Sequence, residues 1–381
     1  MIDLAPDLPA MLADIARTVS LDSGTYHVPG VQAVLDIWAT HLAGSGFEVA
    51  RVPLAGRGDQ LTARVTLGNG ARILVLGHAD TVWPAGTVAR WPFGNDGGYL
   101  TGPGVGDMKT NVVMALYALR RLVAAPPPGI RSITVLIVPD EEIGSPGSRA
   151  WIEGHAREAD ACLTLEPCRP GGKLVVGRGA VGALYVRATG VTAHVGPARA
   201  LGASAISALA ALIGPMEALT DEHRGVGTSV GIFQGGAARQ VIPDRAELHL
   251  DLRATTQEGA DWLVAALHRI TSVPPADARV TITAEGGFYR PPFPTIPGTR
   301  RLYAMAQRVG AGLGVTVDEV VSPGGSDGSF AAALGVPTLD GLGAVCHETC
   351  SLRERVELDS IIPRGLLFAG LIEAIGKEGV A

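Results

Sequence analysis

Apolar and polar residues follow two different rhythms along the chain. Leu8, Met11, Leu12, Ile15 and Val19 fall at helical spacing and predict an amphipathic helix over residues 9–20. Further helical patterns cover 31–45, 108–125 and 148–158. Between them lie short apolar runs with strand character at 47–53, 61–67, 72–76, 132–139 and 161–165. The run 133–138 is apolar except for Thr134, as expected of a strand covered on both faces. Strands alternating with helices in this way predict an α/β fold, a sheet flanked by helices on both sides.

From 177 to 287 the texture changes. "GALYVRATG" predicts a strand and 198–219 a long helix; "GVGTSVGIFQGG" and "RAELHLDLRA" predict two more strands, 261–271 a second helix, and "ARVTITAEG" a last strand. This β-α-β-β-α-β order is a unit able to fold alone. Within it Leu248, Leu250 and Leu252 alternate with His249, Asp251 and Arg253, so one face is buried and the other polar. After the proline-rich "YRPPFPTIPG" the α/β pattern returns, with helices over 300–313, 328–334 and 361–375. The expected organisation is a first part of a larger domain at 1–176, an inserted domain at 177–287, and the rest of the larger domain at 288–381.

Composition narrows the class. The 381 residues are 47% hydrophobic and 18% charged, enough for a sizeable core. The net charge of -6, with no lysine or arginine block, argues against nucleic acid or an anionic membrane as the main partner. No apolar run reaches the roughly 18 residues that a membrane-spanning helix needs. The first twenty residues lack a basic stretch followed by an apolar one, so the expected location is the cytoplasm; a leader removed beforehand would make it the periplasm. Cys162, Cys168, Cys346 and Cys350 are too sparse for a disulfide scaffold and read as reduced, structural thiols.

Candidate chemistry gathers where strands end. "ILVLGHAD" runs an apolar strand into His78 and Asp80. Side chains two apart on a strand point the same way, so the pair is either an imidazole ligand with its orienting carboxylate or a capping histidine beside a turn aspartate. "TGPGVGDMKTN" is a glycine loop that fails both phosphate-binding patterns: Lys109 stands where a third glycine would be, and no GK[ST] follows. It presents Asp107 at a helix start, as a ligand or as an N-cap. "VPDEEIGS" sets Asp140, Glu141 and Glu142 side by side at the end of the most apolar strand, where they repel one another unless a cation is near. Glu166 closes "LTLEP", and His347 lies in "GAVCHETC". Together His78, Asp107, Glu142, Glu166 and His347 are two imidazoles and three carboxylates. The set suits zinc, with cobalt or manganese as alternatives, and two ions sharing one carboxylate would use every member.

In this order, "GHADTV", "GPGVGDMK", "DEEIGS", "LEP" and His347 before "ETCSLRERVEL" resemble the M20 family of metallopeptidases, in particular its glutamate carboxypeptidase and acetylornithine deacetylase branch. The resemblance implies a zinc-peptidase-like catalytic domain with a mixed sheet, an inserted lid and dimerisation domain, and two divalent ions. It places His78 and Glu166 on one ion and Glu142 and His347 on the other, with Asp107 bridging and often followed by a cis peptide. It makes Asp80 the residue that orients His78 and Glu141 the general base. It makes His194 an oxyanion donor acting across a homodimer, and Arg253 the grip on a substrate carboxylate. Gln240 stands where the family commonly has Asn, one methylene shorter, and "PGGSDG" places Gly324 and Gly325 in a loop lining the substrate pocket. The implied activity is hydrolysis of an amide next to a free carboxylate, as in a glutamate carboxypeptidase. The alternative is an N-acyl amino acid deacylase; a non-catalytic metal-binding relative is more remote, since Glu141 and every ligand position are retained.

Overall fold

The computed structural model describes residues 2–380 and divides into two compact units. The first comprises the chain up to Gly177, Phe293–Ser322, and everything from Ser326 on; the second comprises Arg178–Pro292 and Pro323–Gly325.

The first unit is built on a six-stranded mixed sheet. Its order is Glu48–Val52, Gln60–Thr66, Ile130–Val138, Ala71–His78, Ala161–Thr164 and Thr338–Leu339. The first two strands pair antiparallel and the remaining four run parallel. Ile73, Leu74, Val75 and Leu76 are at most 1% exposed, because both sheet faces carry helices. Helix Thr110–Ala124 is apolar nearly all round, which is why it lies inside the core. Helix Val28–Gly44 buries the stripe of Val31, Val34, Leu35, Trp38 and Leu42.

Register fixes what the site inherits. Three neighbouring parallel strands, Ile130–Val138, Ala71–His78 and Ala161–Thr164, end at the same edge. His78 pairs with Val138, and Leu76 pairs with Thr164. Extending the register two residues brings Glu166 level with His78. Neighbouring strands are about 4.8 Å apart, so residues at or just past these three ends are thrown together.

The second unit is a four-stranded antiparallel sheet in the order Val226–Gly235, Arg245–Ala254, Ala180–Thr189 and Thr281–Arg290, with helices Ala205–Glu217 and Gln257–Thr271 packed against it. Leu248, Leu250 and Leu252 are at most 1% exposed, while Asp251 and Arg253 on the alternate positions are open to solvent.

Three local expectations differ. The helix expected over 198–219 is a short turn at Arg199–Leu201 followed by helix Ala205–Glu217. Gly202 is extended, and the Ser204 side chain accepts from Ser207 N–H, so the serine caps a new helix instead of continuing an old one. The helix expected from 108 starts at Thr110, since Asp107 and Met108 have non-helical backbone angles. Glu141 and Glu142 lie in a tight helical turn, Glu141–Ile143, and not in the strand that precedes it.

Candidate metal centre

His78 is the last residue of its strand and is 1% exposed. Its Nδ1 lies 2.9 Å from the Asp80 backbone carbonyl, and its Nε2 lies 3.0 Å from Asp107 Oδ1. The Asp80 carboxylate stands 3.5 Å from Nδ1, so its main partners are elsewhere. It accepts from Thr25 Oγ1 at 2.7 Å, from Glu141 N at 3.1 Å and from Glu142 N at 3.2 Å. Asp80 therefore orients His78 through its carbonyl while its carboxylate holds the acidic turn in place.

Asp107 reaches the same spot from the glycine loop. Gly104 has φ 72°, a conformation that favours glycine. A Cβ on Gly106 would meet Cys346 Sγ at 2.2 Å, so this close approach needs glycine too. The Asp107–Met108 peptide is cis, as the family resemblance implies. Glu354, 1% exposed, fixes the loop: one of its oxygens accepts from Gly106 N at 2.8 Å and Asp107 N at 3.2 Å, and the other from Cys350 N at 2.9 Å. Asn111 adds a clamp, donating to Gly106 O at 2.7 Å and accepting from Ala344 N at 3.0 Å.

Two groups of donors result, each with ligand atoms within 4.8 Å of one another: His78, Asp107 and Glu166, and Asp107, Glu142 and Cys350. Asp107 belongs to both. His347 belongs to neither; its Nε2 is 2.7 Å from Glu357 Oε1, which leaves Nδ1 as the nitrogen able to ligate. Glu141 is 9% exposed and adjoins the second group in sequence.

The electrostatics call for cations. Burial, reinforced by the charge of Asp107, raises the carboxyls of Glu142 and Glu166 well above the ordinary range. Burial works against protonation of His78, but Asp107 and Asp80 outweigh it and raise its pKa well above the usual value. Burial also works against ionisation of Asp107, yet the contact with His78 takes its pKa below the ordinary one. Glu142 Oε1 is buried with no hydrogen-bond partner. A buried carboxylate oxygen without a donor costs about 1–3 kcal/mol or more, and coordination to a divalent ion removes that cost. The donors present thus fit hard or borderline divalent ions.

The other expected site residues lie in the second unit. His194 pairs with Val241 in a two-stranded ladder, directly after Gln240, whose carbonyl accepts from Val195 N at 3.1 Å. Arg253 makes a two-point contact with Asp251, at 2.7 and 3.0 Å. The carbonyls of Gly324 and Gly325 accept from buried Arg178, at 2.9 and 3.2 Å. Sequence reasoning missed Thr25, Glu354, Arg178 and Cys350. Only Cys350 carried a usable signal: it stands three residues after the candidate ligand His347.

Residues 74–374 match the model of Peptidase family M20/M25/M40. The chain belongs to the M20 family. Carboxypeptidase G2 of Pseudomonas sp. (strain RS-16) is 30% identical over 371 residues, covering 95% of this chain and 88% of that one. Succinyl-diaminopimelate desuccinylase of Leptothrix cholodnii is 29% identical over 386 residues, covering 96% and 98%. Among solved structures, the aminopeptidase PepT of Bacillus cereus superposes with a TM-score of 0.78 at 21% identity, covering 97% of this chain and 98% of that one. The M20 metallo-carboxypeptidase Sso-CP2 of Sulfolobus solfataricus gives 0.76 at 15%, covering 96% and 99%. At that identity the two structures speak for the M20 fold alone. As an M20 member the protein is a metallo-hydrolase that uses two zinc ions. No helix among the described residues is long and apolar enough to cross a membrane.

Proposed function

We propose that the protein hydrolyses the amide bond of a small N-acyl amino acid or short peptide next to a free carboxylate, in the manner of a glutamate carboxypeptidase. The observation that carries the reading is the pair of donor groups sharing Asp107, with an unpartnered Glu142 oxygen in one of them. His78 and Glu166 would hold one ion, Glu142 and His347 the other, and Asp107 both. When bound, the ions lower the pKa of water and polarise the scissile carbonyl.

The chain's own residues do the rest. Glu141 takes the proton of the attacking water and passes it to the leaving nitrogen, which requires a carboxylate on a rigid turn. Asp80 supplies that rigidity through the N–H groups of Glu141 and Glu142. Arg253 is assigned to the substrate carboxylate, where a planar two-point contact fits; its present contact with Asp251 has the same form. Gln240 and the Gly324–Gly325 backbone are assigned to the same substrate end. His194 is assigned to the oxyanion of the tetrahedral intermediate, contributed across a homodimer formed through the second unit.

The N-deacylase reading has support of its own in the desuccinylase relatives. The two readings share one bond chemistry and differ in which half of the substrate is recognised. Release of free amine from N-acetyl, N-succinyl, N-aryl and peptidyl amino acids decides between them. Cleavage confined to N-succinyl substrates would replace the carboxypeptidase reading. No cleavage of any member, or full activity in Glu141→Ala, would overturn both.

A further inference from the structure

We propose that Cys350 is a thiolate ligand of the ion held by Glu142, so that this centre carries a sulfur donor. The inference rests on the two-ion reading above and adds a residue to it.

Cys350 is the exposed member of the four cysteines; Cys162, Cys168 and Cys346 are buried. Its Sγ lies 3.4 Å from Asp107 Oδ2 and belongs, with Asp107 and Glu142, to a group whose ligand atoms are all within 4.8 Å of one another. The placement is built into the fold. Cys350 has a left-handed backbone, φ 60°, which is uncommon for a residue with a Cβ. Its N–H is held by the buried Glu354 carboxylate, whose other oxygen holds the N–H groups of Gly106 and Asp107. One carboxylate therefore ties the cysteine loop to the loop of the bridging aspartate.

A second observation points to the same ligand position. Glu142 Oε1, in this donor group, is buried without a hydrogen-bond partner. The group contains two carboxylates and a thiol but no imidazole, since His347 lies outside it. The other group has an imidazole and two carboxylates. Beside Asp107, Glu142 and the His347 assigned above, the Cys350 sulfur gives this ion a further donor of a kind that zinc and cobalt accept readily. As the metal–sulfur bond forms, the S–H bond breaks and its proton passes to solvent, leaving both bonding electrons on sulfur.

The test uses the full-length protein with its metal exchanged for cobalt(II). The wild type should show a near-ultraviolet thiolate-to-cobalt charge-transfer band, lost in Cys350→Ser and Cys350→Ala at equal cobalt content. Visible cobalt bands should persist in all three. A near-ultraviolet spectrum unchanged by either substitution overturns the proposal while leaving the two-ion reading intact. Failure of the wild type to bind cobalt overturns both. Should the variants not fold, the wild type still decides. Alkylation of Cys350, followed by mass spectrometry, should slow about tenfold or more when zinc is added to the metal-free protein. An equal rate with and without zinc overturns the assignment.

Discussion

Asp80→Asn probes the site where its wiring is most explicit. The substitution keeps the shape and removes the charge. In the native protein Oδ1 accepts from Glu141 N, and Oδ2 accepts from both Thr25 Oγ1 and Glu142 N. An asparagine has one acceptor oxygen. Its least costly orientation keeps that oxygen on Thr25 and Glu142 and turns the amide NH2 toward Glu141 N–H, two donors face to face. One buried N–H is then orphaned, which costs about 1–3 kcal/mol. The surviving contacts also weaken, because hydrogen bonds to a charged acceptor contribute about 1.5–3 kcal/mol and those to a neutral one about half that. The acidic turn loosens, and with it Glu142. Supporting contacts of this kind typically change metal affinity about 10- to 100-fold. Urea unfolding of the metal-free protein and zinc affinity by chelator competition measure the two effects separately. A stability change below about 0.5 kcal/mol together with unchanged zinc affinity would refute the assignment of Asp80 as the anchor of the turn.

Other perturbations separate the remaining roles. Glu141→Gln should lower kcat about 10²- to 10⁴-fold while zinc content stays at the wild-type value; retained turnover would remove Glu141 as the proton carrier. Arg253→Ala should raise KM for carboxylate-bearing substrates about 10- to 100-fold with little change in kcat, and Arg253→Lys should rescue little, since lysine cannot make the two-point contact; an unchanged KM would reject the grip. Chelation should abolish hydrolysis, and added zinc or cobalt should restore it; activity that survives removal of all metal would be incompatible with the mechanism. Mixing inactive His194→Ala and Glu141→Ala chains should restore part of the activity if His194 acts across a dimer, and no recovery would place it within its own chain.

The sequence was most legible where a periodic pattern met a strand end. The apolar run into His78 and the acidic run after Val138 predicted two strand ends carrying the chemistry, and the parallel register of the sheet sets them side by side. Glu166 follows the same logic. What the pattern could not carry was anything dependent on loops from distant parts of the chain. Glu354 binds backbone groups about 250 residues away in sequence, and no periodicity announces such a contact. The division at Gly202 was missed because the apolar residues on either side keep helical spacing, while the capping bond at Ser204 decides the break. Asp80 was expected to act on His78 through its carboxylate, as an i, i+2 pair on a strand would. The strand ends at His78, the chain turns, and the carbonyl meets the imidazole at 2.9 Å with the carboxylate 3.5 Å away.

Metal analysis of the purified full-length protein, with Glu142→Ala alongside, bears most directly on the two-ion centre. A two-ion centre predicts about two zinc per wild-type chain and close to one in the variant, because His78, Asp107 and Glu166 still gather without Glu142. One zinc or none in the wild type, or an equal count in both proteins, would contradict it.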